Sequence, residues 1–192
     1  EAIRIKPDYS LAHYNFGWLY GNLDKYQEAI TAYKEAIRLE PDYANAHFGL
    51  GWVYGEVGLD EDSIKEYKEA IRLKPDYADA YNNLGSVYGK LGKYKEAVKT
   101  YKDAIKYNPK DAELHYNLGW AYGKLEKTKN AIDSYKEAIR LNPRHVDSQY
   151  NLGYSFLEIG DSDSALKQVK ILDDLDKDLA AKLLDLIRKK DN

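Results

Sequence analysis

The sequence contains no cysteine, which excludes a disulfide framework and thiol chemistry and leaves the redox compartment open. It has no apolar run long enough to cross a bilayer and no signal peptide, so the chain as given is expected to be soluble. The formal net charge of −3 gives no reason to expect binding to nucleic acid or to an anionic membrane. These absences leave the location undetermined, with the cytoplasm favoured.

Sequence motifs for catalysis and for cofactor binding are also missing. There is no nucleophile elbow, no phosphate-binding glycine loop and no zinc-protease helix. His13, His47 and His115 occupy equivalent places in a repeated pattern, but no cysteine accompanies them, so they are predicted to be packing residues and not metal ligands. We therefore expect no catalytic residue, no metal site and no cofactor.

Proline is scarce, and its spacing is regular. The five prolines are separated by 34 residues, at Pro7, Pro41, Pro75, Pro109 and Pro143. The stretch from residue 10 to residue 43 recurs with the same period, which is typical of a solenoid of stacked units. The pattern predicts one solenoid domain in which residues 1–9 are the tail of a preceding repeat, the repeats are 10–43, 44–77, 78–111, 112–145 and a divergent 146–177, and residues 178–192 form a capping helix.

Each repeat is predicted to contain two helices, A and B, because small and large apolar residues recur at spacings of three and four. In the first repeat they are His13, Phe16, Gly17 and Tyr20 in helix A, then Ala29, Ile30, Tyr33 and Ala36 in helix B. Gly17 and Ala29 are expected where the helices cross. Pro41 is expected to end helix B, and Asp42 and Asp76 are expected to cap the helix A that follows.

The repeat resembles that of the tetratricopeptide family, in which three small positions recur and a proline closes the unit. The small positions are Gly17, Gly51, Gly85, Gly119 and Gly153, then Ala29, Ser63, Ala97, Ala131 and Ala165, then Ala2, Ala36, Ala70, Ala104 and Ala138. The resemblance implies an all-α, right-handed α-solenoid of helix-turn-helix repeats. It also implies a non-catalytic module that binds a segment of a partner protein in a concave groove lined by the A helices.

Helix A carries a second set of residues beside its core stripe, and we predict that this set lines the groove. The set is Tyr14, Asn15 and Trp18, then Phe48 and Trp52, then Asn82, Asn83 and Ser86, then Tyr116, Asn117 and Trp120, then Tyr150, Asn151 and Tyr154. Tryptophan and tyrosine are frequent at binding hot spots, and asparagine can pair with both backbone groups of an extended peptide. Because Glu113 and Asp147 add negative charge, the expected ligand is neutral or mildly basic.

Each of these features has a structural alternative. The asparagines could serve only hydrogen bonds between repeats, and the aromatic residues could fill space between neighbouring A helices. Gly21, Gly55, Gly89 and Gly123 follow a core tyrosine near the end of helix A. They either leave room for something to approach the helix backbone or ease the turn into helix B. In both cases replacement of these glycines by alanine is expected to stabilise the fold.

Two other functions remain open. A self-assembling scaffold could pack end to end through the first repeat, whose preceding neighbour is incomplete. The absence of an initiator methionine and the opening on the tail of a repeat indicate a fragment of a longer protein, so the chain could also be the substrate-recruiting arm of an enzyme. At the other end Leu179, Leu183, Leu186 and Ile187 share one stripe, which predicts a capping helix with a polar outer face.

Overall fold

The computed structural model describes residues 9–191, and the regular structure in this range is entirely helical. The predicted tail of a preceding repeat lies almost wholly outside the described residues. The helices are α1 (Ser10–Asn22), α2 (Tyr26–Leu39), α3 (Ala44–Glu56), α4 (Asp60–Leu73), α5 (Ala78–Lys90), α6 (Tyr94–Tyr107), α7 (Ala112–Lys124), α8 (Thr128–Leu141), α9 (Val146–Glu158), α10 (Ser162–Asp173) and α11 (Lys177–Asp191). None of these helices is both long and apolar enough to cross a membrane.

The period of the sequence is also the period of the helices. Helices α1, α3, α5, α7 and α9 begin 34 residues apart, and so do α2, α4, α6, α8 and α10. We call the first set the A helices and the second set the B helices. Helices α2, α4, α6 and α8 each end two residues before a proline of the repeat, as expected for a residue that cannot continue the helical hydrogen-bond ladder.

The turns from A to B helices share one unusual backbone conformation. Gly58, Gly92 and Gly160 have φ between 69° and 83°, and the equivalent Asp24 and Glu126 have φ of 56°. Left-handed backbone at a helix end suits glycine because glycine has no Cβ to clash. The turn therefore depends on these five residues, and not on Gly21, Gly55, Gly89 or Gly123, which lie within the A helices.

The expected capping of A helices by Asp42 and Asp76 is wrong. The residues at the capping position of α3 and α5 are Tyr43 and Tyr77, and neither helix has a side-chain cap. Tyr43 packs instead against Tyr14, with ring centroids 5.2 Å apart, and Tyr77 against Phe48 at 4.9 Å. Packing between aromatic rings thus occupies the position that an N-cap would use. Helix α7 does have such a cap, since the Asp111 carboxylate accepts from the backbone N–H of Glu113 and Leu114.

The described chain divides into two compact units, the first ending at Gly92. In the first unit α1 and α2 form one antiparallel hairpin, α3 and α4 form the next, and α5 packs on α4. A buried cluster that includes Ala29, Tyr33, Ala46 and Leu50 joins the two hairpins. A Cβ on Gly17 would lie 2.7 Å from the Tyr33 ring, so the glycine is small because the tyrosine of the paired helix lies against it.

The second unit begins at Lys93 and contains α6 to α11. Gly119 lies against the Tyr135 ring in the same way as Gly17 lies against Tyr33. Helix α11 packs on α9 and α10. Its Ile187 is buried at the place where each repeat has a small residue. The Lys190 ammonium donates to the backbone carbonyls of Leu157 and Glu158 at the end of α9, a favourable place for a cation.

Candidate functional site

Helix α1 presents an exposed face that contains a tryptophan. Trp18 is 58% exposed, Leu11 lies two turns before it and is also exposed, and Asn15 lies between them. The Asn15 side chain is exposed and makes no hydrogen bond to any described residue. At spacings of four and seven these residues share one side of the helix. This side therefore offers apolar area together with one uncommitted amide.

Trp52 on α3 lies against the backbone of α1. A Cβ built on Gly21 would be 2.5 Å from Cζ3 of the Trp52 indole, and Trp52 also packs against the buried cluster of the first unit. The group that approaches the helix at Gly21 is therefore a side chain of the next repeat. The expectation that Gly21→Ala stabilises the fold is wrong, because the new methyl group would displace the indole.

The glycines equivalent to Gly21 have different surroundings. A Cβ on Gly55 would meet only the Ser63 hydroxyl at 3.5 Å, and one on Gly123 would meet only the Tyr135 hydroxyl at 4.0 Å. These are ordinary contact distances, so the expected gain from alanine still holds at these two positions. The residue 34 places after Trp52 is Ser86, which explains why no indole covers Gly55.

The predicted site residues Tyr14, Phe48 and Tyr116 are half-buried packing residues. Tyr14 lies 5.9 Å from Tyr33, and Phe48 lies 5.7 Å from Tyr67. In the second unit Tyr116 contacts Tyr135 and His145, with ring centroids 6.0 and 5.1 Å apart. Each ring thus fills the space between its own hairpin and the start of the next A helix. Part of the predicted aromatic lining therefore contributes to stability.

The predicted asparagine row is not a set of equivalent free amides. Asn83 donates to the Tyr67 hydroxyl over 3.2 Å, and Asn151 donates to the backbone carbonyl of Asp147 over 2.8 Å. Asn82 and Asn117 also have interaction partners. Burial raises the pKa of Tyr67 to about 12, so its phenol is neutral near pH 7. The bond between Asn83 and Tyr67 is a contact between repeats, which is the structural alternative for this residue type.

The other predicted aromatic residues vary in exposure. Trp120 is partly buried and meets Tyr94 edge-on at 5.9 Å, with the Lys124 ammonium 5.7 Å from its ring centroid. Tyr150 lies below the Lys182 ammonium at 5.4 Å. Tyr154 is exposed, and so is Ser86. Trp18 and Tyr154 are therefore the most accessible aromatic members of the predicted set.

His47 is a packing residue with a specific electrostatic role. Its ring is buried, with Nδ1 2.7 Å from a Glu66 carboxylate oxygen and Nε2 3.0 Å from the backbone carbonyl of Pro41. Both partners accept hydrogen bonds, so a ring that satisfies both is protonated on both nitrogens. Burial by itself would lower the pKa of His47, but the bonds to Glu66 and Pro41 and the charges of Glu66 and Glu69 raise it.

The bond to a proline carbonyl recurs in the second unit. The Nε2 atom of His115 lies 3.0 Å from the carbonyl of Pro109, and Gln149 donates to the carbonyl of Pro143 over 3.1 Å. Among the residues that the structure describes, neither the His115 ring nor the Gln149 amide has a carboxylate partner like Glu66. No group of three or more acidic, histidine or cysteine side chains within residues 9–191 is arranged to hold a metal ion. The recurring histidines thus hold the turn between repeats.

A row of lysines lies over aromatic rings, which the sequence reasoning missed. Each lysine belongs to a B helix, and each ring belongs to the next A helix. In the first unit Lys34 lies over Tyr54 and Lys68 over Tyr88; in the second, Lys102 lies over Tyr122 and Lys136 over Phe156. The distances from ammonium to centroid are 5.4–5.7 Å, within the range of cation–π attraction. The signal in the sequence is a lysine directly after the B-helix tyrosine.

Comparison with known families and structures identifies the class of protein. Models described as "TPR repeat" match residues 19–58, 60–92 and 90–126, and models described as "Tetratricopeptide repeat" match residues 1–31, 112–145 and 134–167. A comparison with curated proteins finds no match.

Several solved structures share the fold. The crystal structure of YrrB, described as a TPR protein with an unusual peptide-binding site, is 23% identical, with a TM-score of 0.78 and 94% of each chain covered. The crystal structure of the MamA protein is 26% identical, with a TM-score of 0.78, and the match covers 85% of this chain and 90% of that one. MamA from Desulfovibrio magneticus RS-1 is 21% identical, with a TM-score of 0.76 and coverages of 95% and 97%.

The chain therefore belongs to the tetratricopeptide repeat family. Its fold class is the all-α solenoid of helix-turn-helix repeats that the sequence predicts. Proteins of this family are interaction modules, so the general function of the chain is protein–protein interaction.

Proposed function

We propose that the chain binds an extended segment of a partner protein along the exposed side of its A helices. The observation that carries this proposal is Trp18, a large aromatic side chain that is 58% exposed in a family of interaction modules. Exposing this much of an apolar indole ring to water is unfavourable in free energy, and tryptophan is frequent at binding hot spots. Leu11 and Asn15, on the same side of α1, extend the contact area.

Trp52 contributes an aromatic ring whose position is fixed before a ligand binds. Its indole is held against the α1 backbone at Gly21, so it loses little side-chain freedom when a ligand arrives. Contact area that is ordered in advance gives more affinity than area that must be ordered on binding. Trp18 and Trp52 thus supply, respectively, an accessible ring and a fixed ring for apolar side chains of the ligand.

Backbone pairing by asparagine is proposed for Asn15 above all. Its amide can both donate to and accept from an extended backbone without breaking a hydrogen bond to any residue between 9 and 191. At Asn83 and Asn151 the amide hydrogens are shared with Tyr67 and Asp147, so these residues offer mainly their carbonyl oxygens. Gly49 offers no side chain because the Tyr33 ring lies against it, at 2.5 Å from a Cβ built there.

The charge of the proposed ligand follows from exposed acidic residues on the A helices. Asp79 on α5 is exposed, as are Glu113 on α7 and Asp147 on α9. A ligand with excess negative charge would be repelled, so a neutral or mildly basic segment is proposed. The alternative of an enzyme's recruiting arm stays a prediction, since no contact within residues 9–191 favours it.

The proposal is tested by selecting binders from a phage-displayed library of short linear peptides and measuring their affinity for variants. Trp18→Ala is expected to weaken binding about tenfold or more, as at a hot spot, with little effect on thermal stability because the side chain is exposed. Leu23→Ala is the matched control, since Leu23 is 56% exposed just after the same helix. Equal affinity of the wild type and Trp18→Ala would refute the proposal.

A further inference from the structure

The tryptophan of the fourth repeat contacts a cation from its own helix. The Lys124 ammonium, one turn after Trp120 on α7, lies 5.7 Å from the centroid of the Trp120 ring. This distance is within the range of cation–π attraction, and a spacing of four residues places both side chains on the same side of the helix. The face of an indole at this position of the repeat is therefore accessible to a positive charge.

The second repeat has the same tryptophan with the opposite charge beside it. Trp52 and Glu56 lie two periods of the repeat before Trp120 and Lys124. Glu56 is exposed at the end of α3, and its carboxylate forms no ion pair with any residue between 9 and 191. No ammonium or guanidinium of the same range lies over the Trp52 ring. This repeat therefore has the ring without the cation, and it has a carboxylate where the fourth repeat has its lysine.

The remaining repeats do not combine an aromatic ring with a free carboxylate at these two positions. The first and third repeats have no carboxylate there, since the residues are Asn22 and Lys90. In the fifth repeat Tyr154 is followed by Glu158, whose carboxylate accepts a hydrogen bond from the Thr128 hydroxyl over 3.2 Å. Within residues 9–191 the second repeat alone has both an uncovered ring and an uncommitted carboxylate.

A second carboxylate adds to the negative charge near this ring. Trp52 and Tyr26 pack against the same buried cluster. The Tyr26 hydroxyl donates to the Asp24 carboxylate over 2.9 Å. This hydrogen bond is the largest cause that raises the pKa of Tyr26, and the charge of Glu56 contributes to the same rise. Asp24 and Glu56 therefore both lie near the tyrosine that packs beside Trp52, and a cation at this ring would meet negative charge.

We propose that the ligand segment carries an arginine whose guanidinium lies over the Trp52 ring and pairs with the Glu56 carboxylate. This inference rests on the proposed function, because it names the side chain that the peptide-binding side takes at Trp52. The methylene groups of the arginine supply apolar contact. Arginine suits the site better than lysine, because its planar guanidinium can stack on an aromatic ring and donate two parallel hydrogen bonds to one carboxylate.

The first test varies the ligand. The probe is the tightest-binding peptide from the linear library, compared with versions in which its arginine is replaced by citrulline, which has a similar shape without the charge, or by lysine. Citrulline is expected to weaken binding about tenfold, and lysine is expected to weaken it less. Selected peptides that share no basic residue, or a citrulline version that binds as tightly as the original, would overturn the inference. If those peptides still depend on Trp18, the proposed function stands; a library that yields no binder overturns both.

The second test varies the protein. Glu56→Gln is expected to weaken the arginine peptide about fivefold and to leave the citrulline peptide unchanged. Asp133→Asn removes the same charge from an exposed place on α8 and should affect neither peptide. Glu56→Lys should weaken the arginine peptide more than Glu56→Gln does, because the new ammonium would cover Trp52 as Lys124 covers Trp120. Equal losses for both peptides in Glu56→Gln would overturn the pairing of guanidinium with Glu56.

Discussion

Gly21 shows how one residue in this chain is fixed by a partner in the next repeat. A glycine within a helix costs about 0.5–1 kcal/mol relative to alanine, yet Gly21 lies inside α1. The Trp52 indole occupies the space that a Cβ would need. Burial of that large ring offsets the backbone cost, so the glycine and the tryptophan act as a pair.

We predict opposite effects of alanine at two equivalent glycines. Gly55→Ala should stabilise the protein by about 0.5–1 kcal/mol, since the new methyl group meets only ordinary contacts. Gly21→Ala should give no such gain and should move Trp52 into water. Urea denaturation measures the free energy of unfolding, and tryptophan fluorescence should shift to longer wavelength only in Gly21→Ala. Equal stabilisation by both substitutions would contradict the packing of Trp52 on α1.

His47 makes the stability depend on pH in a direction that can be worked out. Its pKa in the folded protein is raised, whereas in the unfolded chain it should lie near the usual value of about 6.5. The protonated ring therefore favours the folded state fully below pH of about 6.5, and this contribution is lost as the pH rises through the folded pKa.

The corresponding experiment compares His47→Gln with the wild type at several pH values. The glutamine can keep the bond to the Pro41 carbonyl, as Gln149 does with Pro143, but it carries no charge. The loss of unfolding free energy should be largest below pH 6.5 and should shrink at alkaline pH. Glu66→Gln should remove most of this pH dependence. A loss in His47→Gln that stays constant over the whole range would show that the ring is not charged in the folded protein.

At the scale of elements, the turns from A to B helices share one backbone conformation but differ in the residue that adopts it. Three of the five turns place glycine in the left-handed conformation, whereas Asp24 and Glu126 adopt it with a side chain. Tyr26 donates a hydrogen bond to the Asp24 carboxylate, which gives that turn some compensation. Glu126 has no such bond in the described part of the chain.

We predict that Glu126→Gly stabilises the protein. The left-handed conformation is about 1–2 kcal/mol less favourable for a residue with a Cβ than for glycine. Part of the gain from glycine is lost, because its greater conformational freedom stabilises the unfolded chain. A net gain of about 0.5–1 kcal/mol in the free energy of unfolding is expected. Gly58→Ala, the reverse change at the equivalent turn, should destabilise by a similar amount. If neither variant differs from the wild type in chemical denaturation, the turn does not limit stability.

The helices and their pairing could be predicted from the sequence, but the residues at their capping positions could not. Small residues, prolines and apolar spacings act locally, so the period and the pairing of A with B helices could be predicted from them. The caps could not, because Tyr43 and Tyr77 sit at the capping positions and pack against rings on the preceding A helix. The packing of these two tyrosines depends on contacts between residues far apart in the sequence.

At the scale of the whole molecule, the residue types of the candidate site could be predicted from the sequence, but the exposure and the existing contacts of the individual residues could not. The sequence indicates that aromatic residues and asparagines lie on the A helices. It does not indicate that Tyr14, Phe48 and Tyr116 are used in packing between repeats, or that Asn83 already pairs with Tyr67. Exposure depends on the neighbouring hairpin, so only the structure shows that Trp18 is open while Trp52 is held against α1.

The most direct measurement of the central claim uses the three tryptophans of the chain as reporters. A peptide selected from the linear library is titrated into the protein, and the indole N–H resonances of Trp18, Trp52 and Trp120 are followed by NMR. The proposed function predicts that the Trp18 resonance shifts in proportion to occupancy and that the Trp52 resonance shifts with it. Saturable binding that leaves both resonances unchanged, and instead perturbs amides on the outer side of the B helices, would contradict it.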